Sequence, residues 1–581
     1  MDALPRNPKL EVLRADHDSG FAYQERRHEN WNENYTLGRD KVKINRLTQR
    51  QSVNLPLMKM TQQTLQKEMD DMPVLYFENL DSDKQAEVFK NEYWKWTSEQ
   101  NNFELQDSVD KKQEFYFGRS FDQWQIVDGK VKMTVQDPMD IFVDRYLNPF
   151  NLHSSRFLIH THIFTTLSQL KTHKEYDQEA LHNLEIWHAS DQGLLKSKQN
   201  LQSLQDKNQK LSDMGLSDVD EPILGETYVE QTLYFVYDKK KDSAEEELFL
   251  KIVVDDMQII YDKPLEEVIG VTKDHFFRNH FPYVTWAGDL ELQDFWSDGK
   301  ADMTRSPNKI ANAWWSQTVE NRTLKNLNMN LFNSNIEGFV PQTWQPMAWG
   351  MYGVPVPTGE KLGDVFQQMP VQDLSEGLDE MNFLIQMLEK GTGATSALQG
   401  TQEKKQVTLG EVQLSLGEAK ARVQGMSKFY TQAWKDRGTM FIKLLEAAGD
   451  KIDAVTVYKK GRNTDTIYSR EISPKDWKSE EGYRCKVWSQ DEKNAENMDS
   501  LQKMNAAKTV MPMNPVVDTV YKRKVLEFSD FTPDELNDAM RYEEEQRLAM
   551  MQQPPVLGAQ PQGQGAQPAL PLATPTQQPT V

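Results

Sequence analysis

The chain has 581 residues, which is too long for one ordinary hydrophobic core, and at roughly 100–200 residues per domain we expect three or four units. Its only cysteine is Cys485, which excludes an intramolecular disulfide and a Cys-x-x-Cys zinc site. The net charge of −21 opposes tight binding of nucleic acid, because phosphate affinity comes largely from lysine and arginine, so any contact with DNA is expected to be local.

Apolar residues spaced three and four positions apart predict helices in the first part of the chain. These helices cover residues 18–37, 52–69 and 82–96, and an acidic helical stretch then continues to Gly118. Residues 124–135 alternate between apolar and polar around Asp128-Gly129, a pair typical of tight turns, and this predicts a β-hairpin. The first part of the chain is therefore predicted to be mixed α/β.

A long polar segment, residues 167–210, is rich in lysine, glutamine, asparagine and serine, and we expect it to be helical and to lie at the surface. Three apolar runs, TYVEQTLYFVY, ELFLKIVV and QIIY, follow between residues 227 and 261 and are separated by charged segments. Their β-branched and aromatic content predicts an antiparallel meander.

Two helices flank an irregular segment in the middle of the chain. Residues 294–305 are predicted to form a loop, and Pro307, a residue favoured in the first turn of a helix, predicts that the next helix covers residues 308–328. Residues 330–372 repeat proline and glycine among tryptophans, which predicts an insertion. Residues 373–390 form a second predicted helix with a coiled-coil-like seam. The seam consists of Leu374, Leu378, Met381, Ile385 and Leu388.

A glycine-rich loop, residues 391–407, leads to a capping box formed by Thr408 and Glu411, which marks the start of a helix reaching Gly449. At 1.5 Å per residue this helix is expected to be about 60 Å long. Short strands are predicted within residues 454–489, and helices at 495–509 and 532–551. The tail, residues 552–581, is rich in glutamine, proline, glycine and alanine and is predicted to be disordered.

Motifs of several enzyme classes are missing from the sequence. It contains neither the Gly-x-x-x-x-Gly-Lys-Ser/Thr loop of an ATPase nor the Gly-x-Ser-x-Gly motif of a hydrolase. His160 and His162 could present two imidazoles from one strand, but no third ligand lies close to them in the sequence. Asp140 and Asp144 could act as an acid–base pair, although such pairs arise by chance in an acidic protein. We therefore expect no enzymatic activity, no metal and no cofactor.

The order of the motifs resembles that of the portal proteins of tailed bacteriophages. The motifs are, in chain order, Trp31-x-x-Asn34-Tyr35, Asn54-Leu55-Pro56, Met69-Asp70-Asp71-Met72-Pro73, His280-Phe281-Pro282-Tyr283, Phe295-Trp296-Ser297-Asp298-Gly299, the helix with Asn308, Asn312 and Asn321, and the segment from Gly391 to Gly400 that leads to Thr408-Leu-Gly-Glu-Val412. The resemblance extends over most of residues 30–551.

The resemblance implies an α+β, mainly helical subunit of a ring of about twelve copies, which sits at one capsid vertex and conducts double-stranded DNA during packaging and ejection. It divides the chain into an N-terminal wing (1–305), a first stem helix (306–329), a clip (330–372), a second stem helix (373–390), a channel loop (391–407), a long spine helix with wing strands (408–492), a C-terminal helical crown (493–551) and the tail (552–581).

A portal is expected to contact the terminase large subunit, the major capsid and scaffolding proteins, and the tail adaptor proteins, in the host cytoplasm during assembly and then in the virion. No apolar run approaches the roughly 20 residues that cross a bilayer, and the first residues lack the apolar stretch of a signal peptide, so we expect no membrane partner. Two other functions stay open: a different virion component, such as a head–tail adaptor or an internal protein, and a metal-dependent DNA-processing enzyme.

Lysines and aromatic residues are the candidate contacts with partners that the resemblance implies. Lys404 and Lys405 lie in the channel loop, where they could make weak, sequence-independent contacts with phosphates or could simply be solvated. The clip contains Trp344, Trp349 and Tyr352, which could bind partner proteins or could join the clip to the next subunit.

Apolar residues of the two stem helices are the candidate contacts between subunits. Helices with apolar groups on more than one side gain free energy when they pack between neighbours in a ring. The residues predicted to do so are Trp314, Trp315, Leu378, Met381 and Ile385.

Overall fold

A computed structural model describes residues 7–39, 55–69, 72–81, 83–214, 226–240, 245–326, 330–332, 358–359, 361, 366–368, 377–393, 409–460, 467–488, 499, 502–506, 508–509, 518–522, 525, 540–542 and 545. The chain forms two compact units, Met1–Val457 with Arg470–Asn494, and Tyr458–Ser469 with Ala495–Val581. We expected three or four units. The number is smaller because one apolar core in the first unit joins the N-terminal helices to sheets and to the last long helix.

The helices of the first unit are α1 (Pro8–Gly38), α2 (Leu57–Glu68), α3 (Lys84–Gln100), α4 (Phe103–Phe117), α5 (Leu167–Thr172), α6 (Gln178–His188), α7 (Asp191–Met214), α8 (Leu265–Ile269), α9 (Lys300–Asn326), α10 (Gly377–Thr392) and α11 (Leu409–Ala448). The strands are β1 (Val74–Asn79), β2 (Ser120–Val127), β3 (Lys130–Gln136), β4 (Ile141–Val143), β5 (Phe157–Thr166), β6 (Tyr228–Lys239), β7 (Glu246–Val254), β8 (Gln258–Pro264), β9 (Tyr283–Trp286), β10 (Asn330–Phe332), β11 (Phe366–Gln368), β12 (Val455–Lys460), β13 (Ile467–Ile472) and β14 (Tyr483–Trp488).

The N-terminal helices confirm the predicted helical regions with different bounds. Helix α1 begins at Pro8 rather than at residue 18, because Asn7 accepts a hydrogen bond from the backbone N–H of Lys9 and proline suits the first turn. Helix α2 begins at Leu57 rather than at residue 52, since a proline at position 56 disfavours the helical conformation in the residue before it.

Glycine ends helix α4 in a left-handed conformation, with a φ of 77° at Gly118. A Cβ atom at this position would lie 2.0 Å from the backbone oxygen of Ser297, so a close approach of two chain segments also requires glycine there. The predicted end of the helical stretch at Gly118 is therefore confirmed, and the tertiary contact adds a second reason for it.

A three-stranded antiparallel sheet has the strand order β3-β2-β9. Its hairpin turns through Asp128 and Gly129, with φ of 49° and 67°, as a type I′ turn requires. The predicted hairpin is confirmed. The sheet also contains β9, which follows the turn by about 150 residues and which the local pattern does not reveal.

A five-stranded antiparallel sheet has the order β4-β5-β6-β7-β8, and its last three strands confirm the predicted meander. The polar segment at 167–210 is helical, as predicted, and forms α5, α6 and most of α7. Helix α6 packs against β8, and α7 packs against β6. These helices therefore cover part of the sheet.

Helix α9 begins at Lys300, so the predicted loop at 294–305 is confirmed only for residues 294–299, and the predicted helix start at residue 308 was wrong. Pro307 lies inside the helix and not in its first turn. The missing N–H of Pro307 leaves the carbonyl of Met303 without its partner in the helix. Asp302, in the first turn, accepts a hydrogen bond from the backbone N–H of Gly299 at 3.0 Å.

Helix α11 confirms the predicted long helix and contributes buried side chains from Met426 to its end. Gly438 packs against β14, where an added Cβ would lie 2.3 Å from the sulfur of Cys485. This close approach offsets the helix-propensity cost of glycine at that position. Among the residues that the structure describes, nothing lies within 4 Å of an added Cβ at Gly425.

The last strands confirm the strands predicted within 454–489: β12 pairs with β13, and β14 pairs with β1. In the second unit, the described residues from 499 to 545 are all helical. They include residues in both predicted helices, 495–509 and 532–551, and also residues 518–522, where no helix was predicted. The predicted disordered tail, 552–581, lies outside the described residues.

Candidate functional site

Two helices that pack along each other, α9 and α10, flank the predicted insertion, and we call this pair the stalk. The insertion begins with β10 and ends with β11, which pair antiparallel with Leu331 opposite Gln367. The strand pair therefore brings the two ends of the insertion together.

Burial along α9 ends abruptly. The buried side chains are Ala301, Thr304, Asn308, Ala311 and Asn312, at helical spacing. Asn312 accepts a hydrogen bond from the backbone N–H of Leu55 at 2.5 Å, which fixes the helix to the segment before α2. Beyond Asn312 none of the side chains described in α9 is buried. The first half of α9 thus packs against the rest of the first unit, which we call the body, whereas within the single subunit the described side chains of the second half stay at least partly exposed to solvent.

Polar side chains of α1 hold the beginning of the same helix. Asn34 donates to the carboxylate of Asp302 at 3.0 Å, and Arg305 donates to that carboxylate at 2.7 Å. Lys309 forms an ion pair with Glu33. Because these contacts lie within the first ten residues of α9, they fix the direction of the helix where it leaves the body.

The predicted stem residues lie on these two helices. Trp314 and Trp315 on α9, and Met381 and Ile385 on α10, are half-buried, while Leu378 belongs to α10 and its side chain is not described. The sequence analysis missed Phe383 and Met387, which are 63% and 59% exposed and lie four residues apart on one face of α10. The sequence could have indicated them, since both are large apolar residues of the predicted helix that lie outside the predicted seam.

Exposed apolar residues also occur on α9, where Met303 and Ile310 are 51% and 42% exposed and lie seven residues apart. Large apolar groups at helical spacing on the outer faces of a helix pair are typical of a surface that another protein chain covers. The stalk therefore has two candidate contact faces, one on each helix.

The predicted channel and clip residues lie outside the described residues. These are Lys404 and Lys405 of the channel loop, and Trp344, Trp349 and Tyr352 of the clip.

A buried arginine connects α11 to the first half of the chain. Arg437 is 0% exposed; its Nε donates to Asp122 at 2.6 Å, and its Nη2 donates to Asp110 at 2.7 Å. Its Nη1 lies 3.7 Å from Asp107. We call these four residues the anchor. Two of the aspartates belong to α4 and one to β2, so the anchor holds three elements together.

Further polar groups surround the anchor. Asp107 accepts hydrogen bonds from Lys111 at 2.7 Å and from the hydroxyl of Tyr430 at 2.6 Å, and Trp286 donates its indole N–H to Asp110. Buried charges are tolerated only when they are paired and hydrogen-bonded, and these contacts meet that requirement in part. The sequence analysis did not find the anchor, because isolated aspartates in an acidic chain give no signal.

Burial raises the pKa of Asp122 and of Asp107 above the ordinary value, against the opposing charges of Arg437 and Lys111. Burial also raises the pKa of Glu114 to about 7, although Gly288 donates its backbone N–H to this carboxyl at 3.0 Å. Around the anchor there are more carboxyl groups than cations. Because their pKa values are raised in the folded protein, these carboxyl groups hold protons at pH values at which the same groups of the unfolded chain are ionised.

The histidines and aspartates considered as a metal or acid–base site have separate structural partners. His160 is hydrogen-bonded to the hydroxyl of Tyr283 at 2.9 Å, whereas His162, at a bulge in β5, contacts Asp140 at 2.9 Å. Lys207 also contacts Asp140, and these cations hold the pKa of the buried carboxyl below its ordinary value. In the part of the chain that is described, no cluster of three or more His, Cys, Asp or Glu is arranged to hold a metal ion.

The family model of the phage SU10 portal protein matches residues 57–566, which is most of the chain. No similar protein was found among the curated proteins. Of the helices described, none has the length and apolar character needed to cross a bilayer. The match begins at α2 and includes the later elements of the first unit, the stalk and α11 among them, and it favours a portal over the adaptor and the DNA-processing enzyme left open above.

Proposed function

Because this chain belongs to the phage SU10 portal protein family, it is a structural protein of the phage capsid that serves as a conduit for DNA packaging, and we propose that it acts as a ring of about twelve subunits. The observation that carries this proposal is the end of burial along α9 at Asn312, together with the exposure of Phe383 and Met387 on α10. A helix pair with open apolar faces is stabilised when another copy covers it.

A ring needs two different faces on each subunit, because a head-to-tail contact joins one patch to another. The face with Phe383 and Met387 on α10 and the face with Met303 and Ile310 on α9 supply two such patches. We propose that the α10 face of one copy packs against the α9 face of the next copy. Each large apolar side chain that becomes fully buried contributes about 1.5–3 kcal/mol.

We infer the following division of the portal. The body from residue 1 to the start of α9 is the wing, α9 and α10 are the stem helices, residues 330–372 are the clip, and residues 391–407 are the channel loop. Helix α11 is the spine, and residues 493–551 are the crown. The first stem helix begins at Lys300 rather than at residue 306, which moves the wing boundary.

The proposed partners follow from this division. The clip, with Trp344, Trp349 and Tyr352, binds the terminase large subunit during packaging and the tail adaptor proteins afterwards. Lys404 and Lys405 contact the phosphates of double-stranded DNA in the channel. The wing faces the major capsid and scaffolding proteins.

The stalk contact is tested by replacing Phe383 and Met387 together with glutamate, which places charge on the proposed interface. The matched control is Ile186→Glu on α6, a residue that is 60% exposed and lies away from the stalk. Sedimentation velocity and negative-stain microscopy are expected to show rings for the wild type and the control, and unassembled subunits for the double variant. Rings of the double variant at wild-type concentrations would contradict the proposed contact.

The clip is tested by replacing residues 333–365 with a short linker. This deletion keeps β10 and β11, so the strand pair that joins the two ends of the insertion can still form. The expected protein assembles rings but no longer binds terminase, and retained binding counts against this assignment. For the channel loop, Lys404→Ala with Lys405→Ala is expected to change DNA retention during packaging while ring assembly stays unchanged.

A further inference from the structure

A cavity of about 310 Å³ lies between β9, the residues that follow β4, and one face of α11. Aromatic and apolar side chains form much of its wall, among them Phe150, Phe276, Phe429 and Met440. Phe150 is 58% exposed, and it marks the mouth of the cavity. A cleft of this size and composition admits one or two side chains or a small molecule.

Arg119 lies in the wall of this cavity and is only 3% exposed. Its Nε donates to the backbone oxygen of Phe295 at 2.8 Å, and its Nη2 donates to that of Pro149 at 3.3 Å. The guanidinium stacks on the ring of Phe295, 3.9 Å from its centroid. With the other described residues Arg119 forms no ion pair, and Nη1 forms no hydrogen bond. Asp294 and Tyr23 raise its pKa only from beyond ion-pair distance, so the buried cation at the cavity has no carboxylate in direct contact.

The environment of Arg119 differs from that of the other fully buried arginine. Arg437 has three aspartates around it, and they raise its pKa above the ordinary value of an arginine. Burial instead lowers the pKa of Arg119 to about 9. Backbone carbonyls supply dipoles but no net negative charge. A buried guanidinium with no carboxylate at ion-pair distance is less stable than a paired one. The cavity therefore favours an anionic occupant.

A second hydrogen-bond donor lies in the same wall. His153 accepts a hydrogen bond at Nδ1 from the backbone N–H of Phe281 at 3.2 Å, which leaves the hydrogen of the neutral ring on Nε2. Burial lowers the pKa of His153 to about 3, so the ring is neutral at pH 7. His280 stacks against it and is hydrogen-bonded to the backbone oxygen of Phe276 at 3.0 Å. The wall thus combines one cation, one neutral donor and an apolar surface.

We propose that this cavity binds a single carboxylate attached to an apolar group, supplied by a protein segment of a second copy of this chain. The guanidinium of Arg119 and Nε2 of His153 are suited to a carboxylate, and the phenylalanines are suited to the carbon atoms that bear it. A DNA phosphate backbone is a poor occupant, because a cavity of about 310 Å³ admits one or two side chains and not a nucleic-acid strand. Asp436 is exposed and lines the same cavity, so the occupant is expected to carry one negative charge and not several.

The second copy is the favoured source of the carboxylate for two reasons. The chain has 88 aspartates and glutamates against 67 lysines and arginines, so a neighbouring copy presents mainly acidic groups. In addition, Phe150 in the wall of the cavity is 58% exposed, and Tyr146, four residues before it in the chain, is 88% exposed, so this segment offers large aromatic side chains that a neighbour could cover. This part of the inference rests on the proposed ring.

The first arm of the test uses the full chain at a concentration below assembly. The probe is 3-phenylpropionate, and its matched control is the neutral 3-phenylpropan-1-ol. The acid is expected to raise the melting temperature of the wild type and the alcohol is not. The shift is expected to disappear in Arg119→Met and to persist in part in Arg119→Lys, which keeps the charge without the planar fork. Equal shifts with acid and alcohol, or an undiminished shift in Arg119→Met, would overturn the anion site.

The second arm measures ring assembly by sedimentation velocity. Arg119→Met is expected to weaken self-association by roughly tenfold or more, as loss of a central interface arginine commonly does, and 3-phenylpropionate is expected to raise the concentration that the wild type needs for assembly. Assembly of Arg119→Met at wild-type concentrations would overturn the second copy as the occupant. A wild type that never assembles would instead overturn the proposed ring, and the melting experiment would still decide the anion site.

Discussion

Replacement of Arg437 by methionine removes the cation that, among the described residues, contacts all three aspartates of the anchor, with little change in side-chain volume. Arg437 is fully buried, and its donors lie 2.6 Å from Asp122 and 2.7 Å from Asp110. Without the guanidinium, these two buried carboxyl groups lose the cation that lies at hydrogen-bond distance from both. They must then remain ionised at high cost or bind protons.

Loss of one partner from a buried ion pair costs about 3–5 kcal/mol, because the other charge stays buried and unpaired. The matched control is Lys443→Met on the same helix. Lys443 is partly exposed and contacts Asp274 at 2.9 Å and Glu446 at 3.1 Å. Ion pairs near the surface contribute about 0–1 kcal/mol, so the two variants are expected to differ by at least about 2 kcal/mol.

The assay is urea unfolding of unassembled protein, followed by tryptophan fluorescence, to which Trp434 beside Arg437 contributes. At pH 7 the midpoint is expected to fall strongly for Arg437→Met and little for Lys443→Met. At pH 5 the difference is expected to shrink, because the aspartates that lose their partner then bind protons more readily. Equal midpoints for the two variants at pH 7, or a larger difference at pH 5 than at pH 7, would refute the reasoning.

Three further outcomes are expected. The folded-state pKa of Glu114 is about 7 against an ordinary 4.5, so its contribution to stability is complete below pH 4.5 and is lost as the pH rises through 7. In urea titrations at several pH values, Glu114→Gln is expected to remove about 3 kcal/mol of this decline in the free energy of unfolding. An unchanged pH profile would speak against this role of Glu114. Gly118→Ala is expected to lower the free energy of unfolding by roughly 1–3 kcal/mol, since φ is 77° and the new Cβ would overlap a backbone oxygen. Gly425→Ala, at a helical position with open space around it, is expected to raise the free energy of unfolding by about 0.5–1 kcal/mol. Equal effects of the two substitutions would contradict this reasoning. Lys207→Met is expected to speed amide hydrogen exchange in the second half of α7, because Lys207 holds that helix to Asp140 at 2.7 Å; unchanged exchange would show that other contacts hold the helix.

Local patterns predicted most of the regular structure correctly. The hairpin at Asp128-Gly129, the meander and the long helix α11 all depend on residues that are neighbours in the chain. The wrong boundaries have a common origin. Pro307 is favoured in a first turn, but α9 begins seven residues earlier, where Asp302 accepts from Gly299 and where contacts with α1 hold the helix. Tertiary contacts overrode the local preference of proline.

The candidate contacts were only partly predictable. The half-buried stem residues Trp314, Trp315, Met381 and Ile385 carried an apolar helical pattern in the sequence, and the order of the motifs led to the portal family. Phe383 and Met387 were missed, because a seam calculated for one helix does not show which remaining apolar residues the rest of the subunit leaves uncovered.

The sequence by itself determined the elements with local causes: helix periodicity, capping residues, the tight turn, the absence of enzyme motifs and the family resemblance. The tertiary structure alone decided which charged residues meet. Arg437 lies more than 300 residues after Asp107, Asp110 and Asp122, and Arg119 is buried against Phe295 and Pro149 only because of the way the chain packs. Burial and pairing depend on distances through space, and periodicity along a chain carries no information about them.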